Sequence, residues 1–339
     1  RRGQRLTRRR SRGRDVRITD VAQAAGVAPM TVSRVLNEPE RVAPATAHKV
    51  RTAIQALGYV PNLLAGGLSS RRSRMIAAMV PTIASPIFSA PIQGFTDRLM
   101  QTGYHVMLSL TGYRPDAEAA LLPAVLSRRP DALLLTGARR GPALRHMLAA
   151  AAIPVVEIWD SGPAFDILVG FDHEEVGREV AAFLIAAGHR RFAVLAASDP
   201  RAEARASGFL RAAAEAGGQI IETRRLPAPS SMTEGRQALR EIAPQLRGRT
   251  ALFCSSDLIA LGAITQARAL GIPVPGELAV CGFGDFDAGR AAEPPITTVS
   301  VDGAAIGRLA AELLLARLAG AAAGPGLRVP FRILPRGST

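Results

Sequence analysis

From Met75 onward, short and almost wholly apolar runs alternate with segments of helical periodicity. The runs are MIAAMV, HVMLSL, DALLLT, PVVEIW, RFAVLA, ALFCSS and LAVCGF. Continuous apolarity is typical of parallel strands that helices cover on both faces. The alternation therefore predicts a doubly wound α/β fold, and about ten strands are too many for one sheet of ordinary size. We expect two lobes of parallel sheet, with a ligand site at the carboxyl ends of the strands.

The stretch before these runs predicts three short helices. Thr19 is placed to cap a first helix that ends at Gly26. A second helix begins at Pro29, where a missing N–H costs nothing, and a third runs from Pro44 to Gly58. Three short helices with a tight glycine turn between the first two indicate a helix-turn-helix, an all-α N-terminal domain beside the α/β body.

Charge is distributed very unevenly. The formal net charge is +14, and residues 1–74 contain 16 basic and 4 acidic side chains of the 42 and 28 in the chain. A basic module joined to a nearly neutral body indicates a polyanionic partner for that module. Residues 1–17 hold nine arginines and little that could be buried. They are interpreted either as a disordered arm that touches DNA, or as a solvated tail or misassigned start.

The string ITDVAQAAGVAPMTVSRVLN carries the strongest functional signal. In a helix-turn-helix the first residues of the second helix face base edges in the major groove. Arg34 is suited to a bidentate contact with guanine, and Met30 to packing on a thymine methyl group. Thr31 and Ser33 carry short hydroxyls that suit phosphates, which fix register but not sequence.

This string, with ERVAPAT, LGYVPN and PNLLAGGLSS after it, resembles the N-terminal region of the LacI (lactose repressor) family of bacterial regulators. LIAAGHRRFAVL, RASGF, SSDLIALGA, LAVCGFGDFD and PPITTVSVD extend the resemblance over residues 18–339, and GYRPDAE, PVVEIWDSG and VGFDHEEVG are similar to the gluconate-type repressors. The resemblance implies a dimer on a pseudopalindromic double-stranded DNA operator, controlled by a sugar or sugar acid such as gluconate. The DNA contacts that we expect are Thr19, Pro29, Met30, Thr31, Ser33, Arg34, Asn37, Asn62, Ala65 and Leu68.

Family members order a short hinge helix on DNA and insert a leucine into the minor groove, and Leu68 matches that leucine. Gly66 and Gly67 depart from the pattern, since each glycine costs a helix roughly 1 kcal/mol relative to alanine. A plain flexible linker is the alternative.

The resulting division is a disordered 1–17 arm, an 18–61 helix-turn-helix domain, a 62–74 hinge and a 75–339 effector-binding and dimerisation domain. The lobes of the last domain are expected to span about 75–170 plus 302–328 and about 171–301 plus 329–339.

Family members also sense a small molecule between the lobes. Matching positions are Phe88, Arg205, Ser256 and Asp257, and less closely Asp172 and Asp285. Glu157 lies in an apolar strand, where a carboxylate either binds sugar hydroxyls or pairs with an arginine. Arg205 either binds a carboxylate ligand or pairs with Asp285 or Asp172. Tyr113 and Trp159 either stack on a sugar or belong to the core.

Other classes of protein are disfavoured. GxSxG, GxGxxG and Walker-type motifs are absent, and the five histidines form no metal spacing, so we expect neither an enzyme nor a metal or cofactor. Cys254 and Cys281 are interpreted as buried small hydrophobes. A solute-binding protein for a sugar transporter is the alternative, but the start lacks a secretory signal and no run could span a membrane. We expect a cytoplasmic, nucleoid-associated homodimer, since no tetramer-forming coiled coil follows VPFRILPRGST.

Overall fold

The computed structural model describes residues 16–60, 73–137, 141–246, 248–322, 324 and 326–339. Contacts divide the chain into two compact units, Arg1–Ser73 and Arg74–Thr339, and each is described by itself. The predicted contacts Asn62, Ala65 and Leu68, most of the arginine-rich arm and nearly all of the hinge lie outside the described residues.

Unit 1 is the predicted trio of helices, α1 (Ile18–Ala25), α2 (Pro29–Asn37) and α3 (Pro44–Leu57), with a 3-10 turn at Pro39–Arg41. Gly26 ends α1 in the left-handed region with φ +67°, a conformation that only glycine adopts without strain. The helices share one small core, made of Val21, Ala22, Val32, Val35, Ala47, Val50 and Ala53.

The predicted cap of α1 is wrong. The helix begins at Ile18, so Thr19 lies inside its first turn and is exposed. Asp20 makes the capping contact instead, because its carboxylate accepts a 2.8 Å hydrogen bond from the backbone N–H of Arg17. A carboxylate three residues after the cap position satisfies one of the free donors of a helix start.

Unit 2 is built mainly from alternating strands and helices, and two short strands follow its last helix. The strands are β1 (Met75–Val80), β2 (His105–Leu110), β3 (Ala132–Thr136), β4 (Val155–Ile158), β5 (Ile167–Gly170), β6 (Arg191–Ala197), β7 (Gln219–Leu226), β8 (Thr250–Cys254), β9 (Leu278–Phe283), β10 (Thr297–Val301), β11 (Leu327–Arg328) and β12 (Phe331–Leu334). The helices are α4 (Pro86–Met100), α5 (Pro115–Leu126), α6 (Pro142–Ala151), α7 (His173–Ala186), α8 (Pro200–Glu215), α9 (Met232–Ile242), α10 (Asp257–Ala269), α11 (Asp287–Arg290) and α12 (Gly303–Leu318), with a 3-10 turn at Ala243–Gln245.

The strands form two six-stranded sheets, one in each lobe. Their orders are β11-β5-β4-β3-β1-β2 and β12-β10-β9-β8-β6-β7, and every pairing is parallel except that of β12 with β10. The first sheet takes its strands from 75–170 and 327–328, and the second from 191–301 and 331–334. The predicted doubly wound, two-lobed fold is confirmed.

All seven apolar runs are strands, and Cys254 and Cys281 are buried within β8 and β9 as predicted. The sequence did not single out β5, β7, β10, β11 or β12. Strand β7 lies at a sheet edge and is mostly half-buried or exposed, so it lacks the continuous apolar run of a central strand.

Pairs of helices approach closely on each lobe. In the first lobe α4 and α12 pack with Gly307 against Pro91, and in the second α7 and α8 pack with Gly177 against Arg205. A Cβ built on Gly177 would lie 2.0 Å from the carbonyl oxygen of Arg205. Glycine therefore fixes the spacing of the two helices that begin at the cleft between the lobes.

Candidate functional site

The start of α2 presents an exposed face in unit 1. Pro29, Met30 and Arg34 are exposed, with Met30 64% accessible, while Thr31 and Ser33 are half-buried. Val32 and Val35 on the opposite face are buried in the core of unit 1. The helix thus offers a flexible thioether and a guanidinium to a partner, which are groups that read a thymine methyl and a guanine edge.

Asn37 is the last residue of α2, and its side chain is hydrogen-bonded within the helix. Its side-chain amide donates to the carbonyl oxygen of Ser33 at 3.0 Å and to the Ser33 hydroxyl at 3.3 Å. Asn37 remains exposed, as does Thr19 in α1. Their contacts with DNA stay predictions.

In unit 2 a cavity of about 480 Å³ lies between the lobes, at the carboxyl ends of the first sheet's strands. The first lobe contributes Met79, Pro81, Thr111, Tyr113, Arg114, Glu118, Thr136, Gly137, Asp160, Ser161 and Gly162, and the start of α7 and of α8 contributes Asp172, His173, Glu174, Asp199, Pro200, Arg201 and Ala204, with Arg328 beside them. The volume falls within the roughly 300–1,000 Å³ of small-molecule sites. Tyr113 and Asp172 were predicted here.

The walls of this cavity are strongly charged. Arg114, Arg201 and Arg328 supply cations, while Glu118, Asp160, Asp172, Glu174 and Asp199 supply carboxylates. Two of the carboxylates also start helices, since Asp172 accepts hydrogen bonds from the first turn of α7 and Asp199 from that of α8. Such a mixture suits a ligand that carries many hydroxyl groups, which both donate and accept.

Arg201 is the arginine of α8 that lines this cavity, and the sequence motifs did not predict it. Its side chain is 15% exposed and its Nε lies 3.5 Å from Asp199 Oδ1. The guanidinium sits 5.1 Å from the centre of the Phe88 ring, which meets the Tyr113 ring edge-on at 6.0 Å. Phe88 is buried, so it supports Arg201 from beneath and does not itself line the cavity.

Tyr113 of the first lobe lies close to three charged residues of the second lobe, Arg201, Asp199 and Arg205. Burial raises its pKa to about 12, and Arg201 and Asp199 act on it in opposite directions. Tyr113 also lines a small neighbouring pocket of about 50 Å³, together with Arg205, Asp199 and Ser256. The two spaces are therefore adjacent.

Arg205, one helical turn after Arg201, is buried and has other partners. Its Nη1 is 2.9 Å from His173 Nδ1, its Nη2 donates to the carbonyl oxygen of Ser255 at 2.9 Å, and its guanidinium lies 3.9 Å from the centre of the Phe283 ring. Burial lowers the pKa of Arg205 to about 10, partly offset by Asp199. Among the described residues it forms no ion pair with a carboxylate, and its Nε has no acceptor.

The predicted alternative, in which Arg205 pairs with Asp285 or Asp172, is wrong. Asp285 is bound by Arg290, Arg336 and the Ser300 hydroxyl. Although burial raises the pKa of Asp285, the hydrogen bonds from Arg290 and Arg336 hold it below its ordinary value. Asp285 lines a second inter-lobe cavity of about 910 Å³.

Ser256 and Asp257 begin α10. The Ser256 hydroxyl accepts from the backbone N–H of Ile259, and Ser256 lines the small pocket. Asp257 is 2% exposed and accepts hydrogen bonds from the Thr298 hydroxyl and the Phe286 backbone N–H. Because it lines none of the three spaces, its place in the structure is that of an internal acceptor within the second lobe.

Glu157 is fully buried within β4. Its carboxylate accepts a 2.7 Å hydrogen bond from the backbone N–H of Phe165, and Glu157 is not among the residues that line these three spaces. A backbone partner was neither of the two interpretations offered by the sequence. The binding of an effector by Glu157 stays a prediction without geometric support.

Three residues at the cleft have left-handed backbone although none is glycine. They are Tyr113 with φ +61°, Trp159 with φ +61° and Asp285 with φ +54°. Such conformations are costly for bulky residues and are concentrated at functional sites. Trp159, the only tryptophan of the chain, is 3% exposed and its indole N–H has no acceptor among the described residues.

His173, Asp160, Asp199 and Arg201 were not predicted as site residues. Asp160 lies two residues after β4 and Asp199 two residues after β6, so polar residues near strand ends were a signal that the sequence offered. In the described ranges, no cluster of three acidic, cysteine or histidine residues could hold a metal ion. None of the helices described is long and apolar enough to cross a membrane.

Comparison with known proteins finds a matching family model in each of the two units. A family model described as bacterial regulatory proteins of the lacI family matches residues 17–62, and one described as a periplasmic-binding-protein-like domain matches residues 181–339. The HTH-type transcriptional regulator GntR of Escherichia coli K12 is 37% identical over 95% of this chain and 98% of its own. The regulator of the same name from Pseudomonas aeruginosa is 36% identical over 95% of each chain.

Solved structures agree. A LacI-family transcriptional regulator from Silicibacter pomeroyi superposes with a TM-score of 0.89 at 32% identity, over 95% of this chain and 99% of its own. A Lac repressor dimer bound to operator and the anti-inducer ONPF superposes with a TM-score of 0.83 at 26% identity, over 96% and 99%.

Proposed function

The chain belongs to the LacI family of bacterial regulatory proteins and is a DNA-binding transcriptional regulator; on that premise we propose that it binds a pseudopalindromic operator as a homodimer and releases it when a sugar acid such as gluconate enters the cleft of unit 2. Such a protein works in the cytoplasm, on the nucleoid. A transporter's solute-binding protein would have no use for unit 1.

Operator reading is supported by the exposed start of α2. Arg34 and Met30 project from the same helix whose opposite face is fixed in the core by Val32 and Val35, so the core holds the two side chains on one rigid element. A rigid scaffold that holds a few base-reading side chains is what sequence-selective binding requires.

A homodimer is supported by the edge strand β2 of the first sheet. Leu108 and Leu110 lie on the same face of this strand and are 38% and 49% exposed. Ile83, three residues after the end of β1, is 50% exposed. An exposed apolar edge strand is ready to be covered by another chain. In the homologous Lac repressor structure the protein is a dimer.

The effector class rests on one observation, the pair of guanidinium groups one turn apart on α8. Arg201 reaches the 480 Å³ cavity, and Arg205 lies beside it, buried without a carboxylate partner in the described part of the chain. A buried cation without a counter-ion is costly, and an anionic ligand offsets that cost. The surrounding carboxylates accept hydrogen bonds from sugar hydroxyls.

No chemical turnover is proposed. The relatives are regulators, and Asp172 and Asp199 in the cavity already cap helices. Incubation with gluconate should return gluconate unchanged by NMR, and a new product would contradict this part of the proposal.

The test is fluorescence anisotropy of a labelled operator, taken from DNA upstream of the protein's own gene, during titration with D-gluconate or neutral D-glucose. We expect gluconate to release the operator and glucose to have little effect. Arg201→Gln should raise the gluconate concentration needed by on the order of tenfold, the loss of one hydrogen bond to a charged group. Arg178→Gln, an exposed arginine on α7, is the matched control.

Equal potency of glucose and gluconate would overturn the anionic effector. Absence of selective binding to any pseudopalindromic site, at several salt concentrations, would overturn the operator proposal.

A further inference from the structure

His173 joins the two lobes through both ring nitrogens. The residue opens α7 and is buried, with 4% exposure. Its Nδ1 lies 2.9 Å from Arg205 Nη1 of α8, and its Nε2 lies 3.1 Å from the carbonyl oxygen of Trp159, which follows β4 in the first lobe. The imidazole is thus a bridge between the arginine of the second lobe and the backbone of the first.

The chemistry of the partners fixes the protonation of this ring. A guanidinium only donates hydrogen bonds, so Nδ1 must be an acceptor and carry no proton. A carbonyl oxygen only accepts, so Nε2 must carry the proton and donate to Trp159. The geometry therefore requires the neutral imidazole with its proton on Nε2.

His173 is also the only side chain that accepts a hydrogen bond from Arg205 among the described residues. The other contacts of the guanidinium are the Ser255 carbonyl oxygen and the face of the Phe283 ring. Phe283 and the neighbouring Phe171 also pack on the His173 ring, with centroids 6.4 and 4.6 Å away. The aromatic packing restricts the imidazole, and the imidazole restricts the arginine.

We infer that His173 is a positioning residue, which holds Arg205 in the orientation that an anionic effector meets and ties that orientation to the first lobe through Trp159. The inference rests on the proposed effector class. The His173 ring makes two separable contacts. The contact of Nδ1 with Arg205 sets the response to anions, and the contact of Nε2 with the Trp159 carbonyl oxygen depends on the arrangement of the lobes.

Two substitutions separate these contacts. In His173→Asn, the amide oxygen can take the place of Nδ1 and accept from Arg205, but nothing reaches Trp159. In His173→Gln, the longer amide reaches the place of Nε2 and can donate to the Trp159 carbonyl, but the acceptor beside Arg205 is lost. Fluorescence of Trp159, the only tryptophan, gives the binding curve for gluconate in the full-length protein.

We expect His173→Gln and Arg205→Met each to raise the Kd for gluconate on the order of tenfold. The Kd of His173→Asn should stay within about threefold of the wild-type value. His146→Asn on the exposed face of α6 is the control and should bind as wild type. A purely structural role would give equal losses in Asn and Gln. Equal losses, or no loss in Gln, would overturn the inference.

A second measurement separates this inference from the effector proposal. If wild type binds no sugar acid, the effector class is wrong, and nitrogen-15 NMR of the histidine rings then decides the role of His173. The Nε2–H tautomer in wild type, lost or mixed in Arg205→Met, supports the positioning of Arg205. An Nδ1–H tautomer, an imidazolium, or a ring unaffected by Arg205→Met overturns it.

Discussion

The hydroxyl of Thr298 donates a 2.6 Å hydrogen bond to the buried carboxylate of Asp257, whose other oxygen accepts from the backbone N–H of Phe286 at 2.8 Å. Burial outweighs both bonds and raises the pKa of Asp257 to about 6. The native state therefore holds a proton that the unfolded chain releases between about pH 4 and pH 6.

From this we predict that Asp257 destabilises unit 2 as pH rises. Since the folded state binds more protons in that window, the free energy of unfolding falls by about 2–3 kcal/mol from pH 4 to pH 7 through this group. Urea unfolding of wild type and Asp257→Asn across this range measures the difference. Asp287→Asn, at an exposed carboxylate, is the control and should keep the wild-type slope.

The two arginines on Asp285 should contribute very differently to stability. Arg336 is 20% exposed and binds Asp285 Oδ1 at 2.6 Å, whereas Arg290 is 55% exposed. We expect Arg336→Gln to lower the free energy of unfolding by about 1–3 kcal/mol, because it removes the less exposed of the two cations on Asp285. Arg290→Gln should lower it by about 0–1 kcal/mol, because solvent screens that ion pair.

This difference should also depend on pH. The pKa of Asp285 is lowered, so its pairing stabilises the native state above the unfolded pKa and the contribution is lost as pH falls through the folded pKa. If Arg336→Gln and Arg290→Gln lowered the free energy of unfolding equally in chemical denaturation at pH 7, Arg336 would not be the stronger partner of Asp285.

The edge of the first sheet should control oligomeric state. Leu110→Asp places a charge on the exposed apolar face of β2, and we expect it to convert the dimer to a monomer in light scattering at micromolar concentration. Thr223→Asp, on the exposed edge strand β7 of the other sheet, should leave the dimer intact. A dimeric Leu110→Asp would place the interface elsewhere.

Arg34 should carry base selectivity. We expect Arg34→Ala to weaken binding to the operator by about 1–3 kcal/mol and to relax the preference at one base pair, while binding to random DNA changes far less. Arg51→Ala, an exposed arginine of α3, is the charge-matched control. If both variants lose operator and random DNA equally, Arg34 contacts phosphate and not a base.

Met30 should read a methyl group. Replacing the contacted thymine by uracil removes only that methyl, so it should weaken wild type but not Met30→Ala. Competition assays with the two operators measure this. A uracil effect that persists in Met30→Ala would assign the methyl contact to another residue.

Local sequence determined the parts of this protein that depend on neighbouring residues. The seven apolar runs became strands because continuous apolarity needs cover on both faces, and Gly26 and Gly58 ended helices because only glycine takes left-handed backbone cheaply. The helix-turn-helix followed from the same local rules. These signals were enough for the fold class and for the start of α2 at Pro29.

The cleft was decided by tertiary structure. Arg201 and Arg205 lie one turn apart on the same helix, and no local pattern tells which of them a cavity will receive. The close packing of α7 on α8, set by Gly177, buries Arg205 beneath His173 and leaves Arg201 at the cavity. Asp257 likewise became an internal acceptor because Thr298, distant in sequence, lies against it, and long-range packing of this kind is invisible in a single sequence.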